Sequence, residues 1–367
     1  MWTIEFETPN LVSSHRGTLP VILSCPHEGT RKPEKVPMRT GKEIPSDCHF
    51  NNEGDSHTRE ITTGVAQRML DIFGEAPYVV IAEYHRKYID ANRPDLPQTP
   101  NCAYEVGAAQ PFYDEYHNTL RNFVNEIRAE NGGLGLLFDI HGTQPIGGDE
   151  ADLYLGTDNG NTVARLLKAD PQALFRRRSL RGFLEAAGYV VSPEPGKSEN
   201  PAVEGGHTVR TYGSSHEDGL DAIQIEIVST LRNDAQKRAD LIETLAYAID
   251  NLVTRYADIH TLAAFQSIHL LSGDVIPIVS GQLQRRPEAN DCLLQLGGQF
   301  QNRGRVEIRH DPGATSQPAP RRAGVLVLYG ENGNDYYLWV DKQGKLRISS
   351  SDPGASSQAG TVIGTQT

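Results

Sequence analysis

No stretch of this 367-residue chain approaches the ~18 consecutive apolar residues that a membrane-spanning helix needs. Positive charge is also in deficit, with 35 Lys and Arg against 47 Asp and Glu and a formal charge of −12. Phosphate backbones and anionic lipid surfaces are held by concentrated Lys and Arg, so neither nucleic acid nor a membrane is expected as a partner. Cysteine is scarce: Cys25, Cys48, Cys102 and Cys292 are scattered, without any Cys-x-x-Cys spacing. That pattern argues against a zinc ribbon or a disulfide framework and predicts free thiols. The first ten residues, MWTIEFETPN, place acidic residues where a signal peptide carries basic ones, so a cytoplasmic location is expected.

What the chain does have is enough apolar sequence for a real core. Hydrophobic residues make up 38% and charged residues 22%, the balance of a folded, soluble protein. Short apolar runs at 19–25, 78–84, 135–140 and 220–228 read as strands. Between and after them lie amphipathic stretches. Ile61, Val65, Met69 and Ile72 share one helical face, as do Phe112, Tyr116, Leu120, Phe123 and Ile127, and then Leu241, Leu245, Ile249 and Leu252. Strand and helix alternate, which predicts an α/β fold: a mostly parallel sheet covered by helices on both faces, in three layers. Beyond about residue 260 the texture changes. Residues 325–349 alternate turn-like and strand-like segments, 304–324 reads as a loop, and Asp-Pro-Gly-Ala occurs at 311–314 and again at 352–355. Two domains are expected, 1–258 and a small β-rich module over 265–367.

Ligands of open parallel sheets sit outside the carboxyl ends of the strands, so reactive residues just after apolar runs are the ones to examine. His27 follows Val-Ile-Leu-Ser-Cys-Pro, His141 follows Leu-Leu-Phe-Asp-Ile, and Glu226 lies inside the apolar run Ile-Gln-Ile-Glu-Ile-Val. A lone histidine at such a place is ordinarily a hydrogen-bonded core or loop residue. Two of them with a carboxyl group in a strand are a different matter, because an uncompensated buried carboxylate is costly. Catalytic zinc takes three protein ligands from His, Asp and Glu and keeps a position for water, a requirement this set meets. The third ligand is expected from residues 54–62, where Asp55 and Glu60 compete. Asp55 sits before the helix and is favoured slightly, although it would serve equally as a helix N-cap. Two further clusters are Arg86, Asp90, Asn92 and Arg93 after the second strand, and His207 with Arg210 in a glycine-rich stretch. Arginine matches a carboxylate bidentately, while a structural Arg86–Asp90 pair is the plainer alternative.

Taken in order, these residues resemble the N-formylglutamate amidohydrolase family. The resemblance rests on Pro-His-Glu-Gly-Thr (26–30), Asp55 with His57, Arg86 and Tyr-Ile-Asp-Ala-Asn-Arg-Pro (88–94), and Asp139-Ile-His141. Leu-Gly-Thr-Asp-Asn-Gly (155–160), Gly205 to Gly213, and Ile223-Gln-Ile-Glu226 complete it. That family is in turn similar to zinc carboxypeptidases, which implies a zinc-carboxypeptidase-like sheet. The resemblance implies His27 and His141 as zinc ligands, Asn92 and Arg93 as binders of the substrate carboxylate, and Glu226 as general base. Arg210 or Arg86 would stabilise the oxyanion, with His207 on the substrate side. Three departures stand out: Glu28 replaces a small residue, Gly-Asp-Ser-His replaces a tryptophan-containing motif, and the last ~100 residues have no counterpart. The expectation is a zinc-dependent amidohydrolase acting on a small N-acyl amino acid or short peptide. A metallopeptidase or cell-wall amidase with the same zinc site, or a non-catalytic binding or assembly module, are the alternatives.

Overall fold

The computed structural model describes residues 3–42, 44–177 and 179–264, and after them 283–285, 292–294, 326–329, 335–340, 343, 345–350 and 360–365. The chain divides into two compact units, Met1–Val275 and Ile276–Thr367.

In the first unit the elements run β1 (Val12–His15), β2 (Val21–Cys25), α1 (Thr58–Phe73), β3 (Tyr78–Ala82), α2 (Gln110–Glu130), β4 (Leu136–Thr143) and β5 (Leu153–Gly156). They continue as α3 (Ala164–Ala169), α4 (Leu180–Ala186), β6 (Val191–Ser192), α5 (His207–Tyr212), β7 (Asp221–Val228), α6 (Ser229–Arg232) and α7 (Ala235–Ala264). Seven strands form one sheet in the order β1-β3-β2-β4-β7-β5-β6. The four central strands, β3, β2, β4 and β7, are mutually parallel. Antiparallel pairing enters only where β1 meets β3 and where β5 meets β7. The sheet is therefore mixed but mainly parallel. The antiparallel joins were not predicted, because Val12–His15 and Leu153–Gly156 are too short to print a pattern.

Side-chain alternation along each strand splits the core in two. On one face Val21, Leu23, Phe138 and Ile225 pack with Ile61, Val65 and Met69 of α1 and with Leu241, Leu245, Ile249 and Leu252 of α7. On the other, Ile22, Val80 and Leu137 meet Tyr116, Leu120 and Ile127 of α2. Central strands buried on both faces read as continuous apolar runs, and 135–140 and 220–228 do so. α2 is turned slightly from the expected face: Tyr113 and Val124 are buried, while Phe112 and Phe123 sit at its margin. β4 extends to Thr143, so His141 lies within the strand and not just beyond it. α1 ends at Gly74, whose φ of 76° suits glycine and whose N–H reaches the Leu70 carbonyl.

Two segments far apart in sequence meet as the disulfide Cys48–Cys102, with Cα atoms 5.2 Å apart. This corrects the expectation of free thiols at both positions. A separation of 54 residues hides the pairing from any spacing rule, since the loop after β2 and the loop after β3 run to the same sheet edge. Cys25 is free and buried.

The described residues of the second unit are strands: β8 (Leu283–Arg285) with β9 (Cys292–Leu294), and an antiparallel sheet in which β10 (Leu326–Tyr329), β11 (Asp335–Val340), β12 (Lys345–Ser349) and β13 (Thr361–Thr365) pair in chain order. The expected loop at 304–324 and both Asp-Pro-Gly-Ala segments lie outside the described residues. Among the described residues no helix is long and apolar enough to cross a membrane.

Leu245 is fully buried beneath the sheet. Leu245→Ala is expected to cost about 2–5 kcal/mol in equilibrium urea unfolding, the range for a leucine whose cavity cannot collapse. Cys48 and Cys102 are expected to resist alkylation in unfolded protein until a reductant is added, as read by peptide mapping.

Candidate metal centre

Because the four central strands are parallel, their carboxyl ends lie along one edge, and each delivers a reactive side chain there. His27 follows β2 after Pro26, the stretch 83–93 follows β3, His141 sits near the end of β4, and Glu226 near the end of β7. In the parallel pairing of β4 with β7, His141 is the register partner of Glu226. Asp55 comes from the loop leading into α1 and is anchored by its own N–H, which donates to the His27 carbonyl at 3.1 Å.

One donor atom each from His27, Asp55 and His141 fits within 4.8 Å of the others, and all three residues are buried. The rings stand edge to face, with centroids 4.7 Å apart. Each imidazole is gripped from behind by a fully buried aspartate: His27 Nε2 lies 2.8 Å from Asp90 Oδ1, and His141 Nε2 lies 2.8 Å from Asp139 Oδ2. A carboxylate only accepts, so each Nε2 donates and the lone pair of the neutral ring is left on Nδ1. Both Nδ1 atoms face Asp55 Oδ2 at 3.2 Å. Three acceptors aimed at one point repel unless a cation or protons stand among them. Histidines backed by carboxylates, and a third carboxylate in front, form a donor set with oriented ligands that could hold a metal ion.

The electrostatics follow from this arrangement. Burial works to raise the Asp55 carboxyl, but His27 and His141 outweigh it and hold it well below the usual range. Burial likewise opposes ionisation of Asp90, and Arg86 and His27 override it. Arg86 Nε donates to Asp90 Oδ2 at 2.8 Å, and Arg39 Nη2 stands 3.6 Å from the same atom. For His141, burial favours the neutral ring, yet Asp139 pushes its pKa well above the ordinary value. Glu226 differs from the aspartates. Burial lifts it from 4.5 to about 7, with the nearby Asp55 adding to the rise while His141 and Arg86 oppose it. Its Oε1 accepts from Gln224 Nε2 at 3.0 Å, whereas its buried Oε2 has no hydrogen-bond partner.

The remaining expected residues fall into place unevenly. Glu60 is not in the cluster: it is half exposed on α1, where its Oε2 pairs with Arg238 Nε at 2.9 Å and His57 Nδ1 at 3.2 Å. It is thus too committed to serve as the alternative third ligand, and this corrects that candidate. Arg86 takes up the Asp90 pair that was its plainer reading, and its Nη1 stands 3.9 Å from Asp55 Oδ1. Arg210 is tied to Asp158 and Glu204, each at 3.0 Å, on the wall of the cleft. Asn92 is buried, accepts from Thr208 N–H at 2.8 Å, and lies 3.2 Å from His141 Nε2 through its Nδ2. Arg93 lines the cleft, donating to the His49 and Asn92 carbonyls at 3.0 and 2.9 Å. His207 begins α5 on the same wall, and burial lowers its pKa to about 4. The cleft itself measures about 760 Å³.

Two residues escaped the sequence reading altogether. Arg39 reaches from the polar loop after β2 to the Arg86 and Cys102 carbonyls at 3.0 and 3.3 Å. Arg232 passes beneath Gly142, donating to the Ile227 carbonyl at 2.8 Å and the Thr143 carbonyl at 3.1 Å. A Cβ at position 142 would come within 2.3 Å of that guanidinium, which is why glycine stands beside His141. Neither arginine belongs to a local motif, so no short-range signal could have exposed it.

A mixed α/β fold with a buried His–Asp–His donor set and a raised carboxyl beside it, all at the carboxyl ends of parallel strands, defines the class: an α/β protein with a candidate metal centre. The model of the N-formylglutamate amidohydrolase family matches residues 19–110 and 104–231. The chain belongs to that family. It is 26% identical over 255 residues to an N-formylglutamate deformylase of Pseudomonas putida, a match covering 60% of this chain and 84% of that protein. It is 24% identical over 279 residues to an N-formylglutamate deformylase of Pseudomonas aeruginosa, covering 66% and 94%. The crystal structure of an N-formylglutamate amidohydrolase from Ralstonia eutropha aligns with a TM-score of 0.44 and 17% identity, over 66% of this chain and 98% of that one.

Glu226 gives a pH prediction for the metal-free protein. Its native pKa is raised, so its contribution to stability is full below about 4.5 and is lost as pH rises through about 7. Glu226→Gln, which carries no charge, should therefore gain Tm relative to wild type across that window. A Tm difference between the two that stays constant from pH 4.5 to 8 would contradict the assignment.

Proposed function

We propose that the chain is a metal-dependent amidohydrolase that cleaves the amide bond of an N-acyl amino acid of the N-formylglutamate type, with zinc as its ion. One observation carries this reading: two imidazole Nδ1 atoms and Asp55 Oδ2 converge beside a carboxyl group that is raised to about 7 and has one oxygen free of hydrogen bonds. Family membership supports the reaction type, and the two Pseudomonas relatives support the substrate.

His27, Asp55 and His141 would hold the ion in a zinc-carboxypeptidase-like arrangement. A zinc ion so held supplies a Lewis acid that lowers the pKa of water towards ~7 and polarises an amide carbonyl. The chain's own residues do the rest. Glu226 accepts the proton of the attacking water at Oε2, the oxygen without a hydrogen-bond partner, and returns it to the leaving nitrogen. Gln224 keeps Oε1 occupied, so Oε2 is the oxygen that works. Arg86, buried and 3.9 Å from Asp55, is better placed than Arg210 to face a developing oxyanion, because it stands beside the donor set, whereas Arg210 is half exposed and paired with Asp158 and Glu204 on the wall.

Arg93 carries the substrate carboxylate. Two backbone carbonyls fix its guanidinium, and among the described residues it forms no ion pair. Asn92 has its amide engaged with Thr208 N–H and beside His141, so it positions that side of the cleft and does not bind the carboxylate itself. His207 shapes the same wall in its neutral form. A longer substrate, such as a peptide, is the second reading, and the cleft volume of about 760 Å³ favours it, since pockets of about 300–1,000 Å³ enclose ligands well above a formyl amino acid in size.

Three outcomes are expected. N-formyl-L-glutamate should be hydrolysed faster than short peptides in a metal-replete assay, and the reverse ranking would favour the second reading. Glu226→Gln should lower kcat by about 10²–10⁴-fold while the protein still takes up one equivalent of zinc, as measured by elemental analysis. Near-normal turnover by that variant would remove Glu226 from the reaction. Arg93→Ala should raise KM much more than it lowers kcat.

A further inference from the structure

Glu28 follows His27 directly, yet its side chain turns away from the cluster and reaches the start of α1. Glu28 Oε1 accepts from the His57 N–H at 2.5 Å, and Oε2 accepts from the Arg59 N–H. Those two amides, of the N-cap His57 and of the second residue of α1, are among the N–H groups at the helix start that have no partner inside the helix. The residue at the ordinary capping position, His57, is in the left-handed region at φ 64° and makes no side-chain cap. A carboxylate at a helix N-terminus is also favoured by the helix dipole. Glu28 is therefore the cap of α1, supplied from a different segment of chain.

The consequence lies two residues before His57, at Asp55. The Asp55 N–H donates to the His27 carbonyl at 3.1 Å, and Thr58 returns to the Asp55 carbonyl through its Oγ1 at 2.8 Å. A closed circuit results: His27 is bonded to Glu28, Glu28 to the first turn of α1, that turn to Asp55, and Asp55 back to His27. Of the three donor residues, Asp55 alone comes from a loop and not from the end of a central strand, so its backbone is placed by this circuit, while its Oδ2 also accepts from the Gly142 N–H at 3.1 Å. We infer that Glu28 is a positioning residue of the metal centre, holding the Asp55 carboxylate in register with His27 by capping α1 from the His27 side. This inference rests on the reading of His27, Asp55 and His141 as a metal site.

The test is the dissociation constant for zinc, measured on metal-stripped full-length protein by competition with a chromophoric chelator. Glu28→Ala should bind zinc at least about tenfold more weakly than wild type, the scale on which residues that orient ligands act. Glu28→Gln, whose single acceptor oxygen keeps one of the two bonds, should fall between. Ser179→Ala is the control for a purely structural loss. It removes the cap of α4, where Ser179 Oγ accepts from the Gly182 N–H at 3.1 Å, and it should lower the metal-free Tm without changing zinc affinity. Wild-type affinity in folded Glu28→Ala, or an equal loss in Ser179→Ala, would overturn the inference. Should Glu28→Ala not fold, Glu28→Gln decides against Ser179→Ala by the same criterion. A wild-type protein that takes up no zinc would sink the metal reading and this inference together, whereas zinc binding indifferent to Glu28 sinks this inference alone.

Discussion

The cluster depends on two buried hydrogen bonds, His27 to Asp90 and His141 to Asp139, each 2.8 Å long. Each bond fixes a ring's orientation and leaves its Nδ1 lone pair pointing at Asp55. Without them either ring could flip, and the convergence would dissolve. Both aspartates are fully buried, so each must itself be compensated. Asp90 is met by Arg86 and by Arg39, and Asp139 accepts from the Ser24 hydroxyl on the neighbouring strand. The His–Asp–His cluster is thus the inner part of a polar network that continues into the sheet and out to the loops, and each outer member answers for the charge of an inner one.

That network also explains how five acidic groups, Asp55, Asp90, Asp139, Glu226 and Glu28, coexist near one edge of a sheet. Three of them face cations or imidazoles at short range, and Glu28 is satisfied by two backbone amides. Only Glu226 has a buried oxygen with no partner, and its proton affinity rises in response. All five are wholly or partly buried. What separates Glu226 from the others is that no fixed donor lies within reach of its Oε2.

Much of this could be read before any coordinates, and the reason is geometric. Parallel strands buried on both faces print themselves as unbroken apolar runs, so 19–25, 78–84, 135–140 and 220–228 were visible, and with them the residues near their carboxyl ends. His27, His141 and Glu226 were singled out by that logic. The choice between Asp55 and Glu60 was not available to it, because both lie within one short segment and only the turn at His57 decides which faces the cleft. The roles of Asp90 and Asn92 were hidden for a related reason. Their partners, His27 in one case and Thr208 in the other, are 63 and 116 residues away. The Cys48–Cys102 pair and the arginines Arg39 and Arg232 are long-range in the same sense, and no periodicity encodes them.

The donors are not equally constrained, and this bears on how such a centre is built. His141 sits on β4 in the middle of the sheet, with β2 on one side and β7 on the other, and its register partner is Glu226. Eight residues of ladder fix that pair, so ring and carboxyl hold their spacing as rigidly as the sheet itself. His27 is one residue past Pro26 at the end of β2, close enough to inherit the same rigidity. Asp55 has no strand behind it. Its position comes from a backbone bond to His27, the first turn of α1 and the bond from the Gly142 N–H to its Oδ2 at 3.1 Å. A site made of two strand-borne imidazoles and one loop-borne carboxylate concentrates its adjustable geometry in the carboxylate. The loop before α1 is thus the part of the chain where a small change in packing has the greatest leverage on whether the three donors meet.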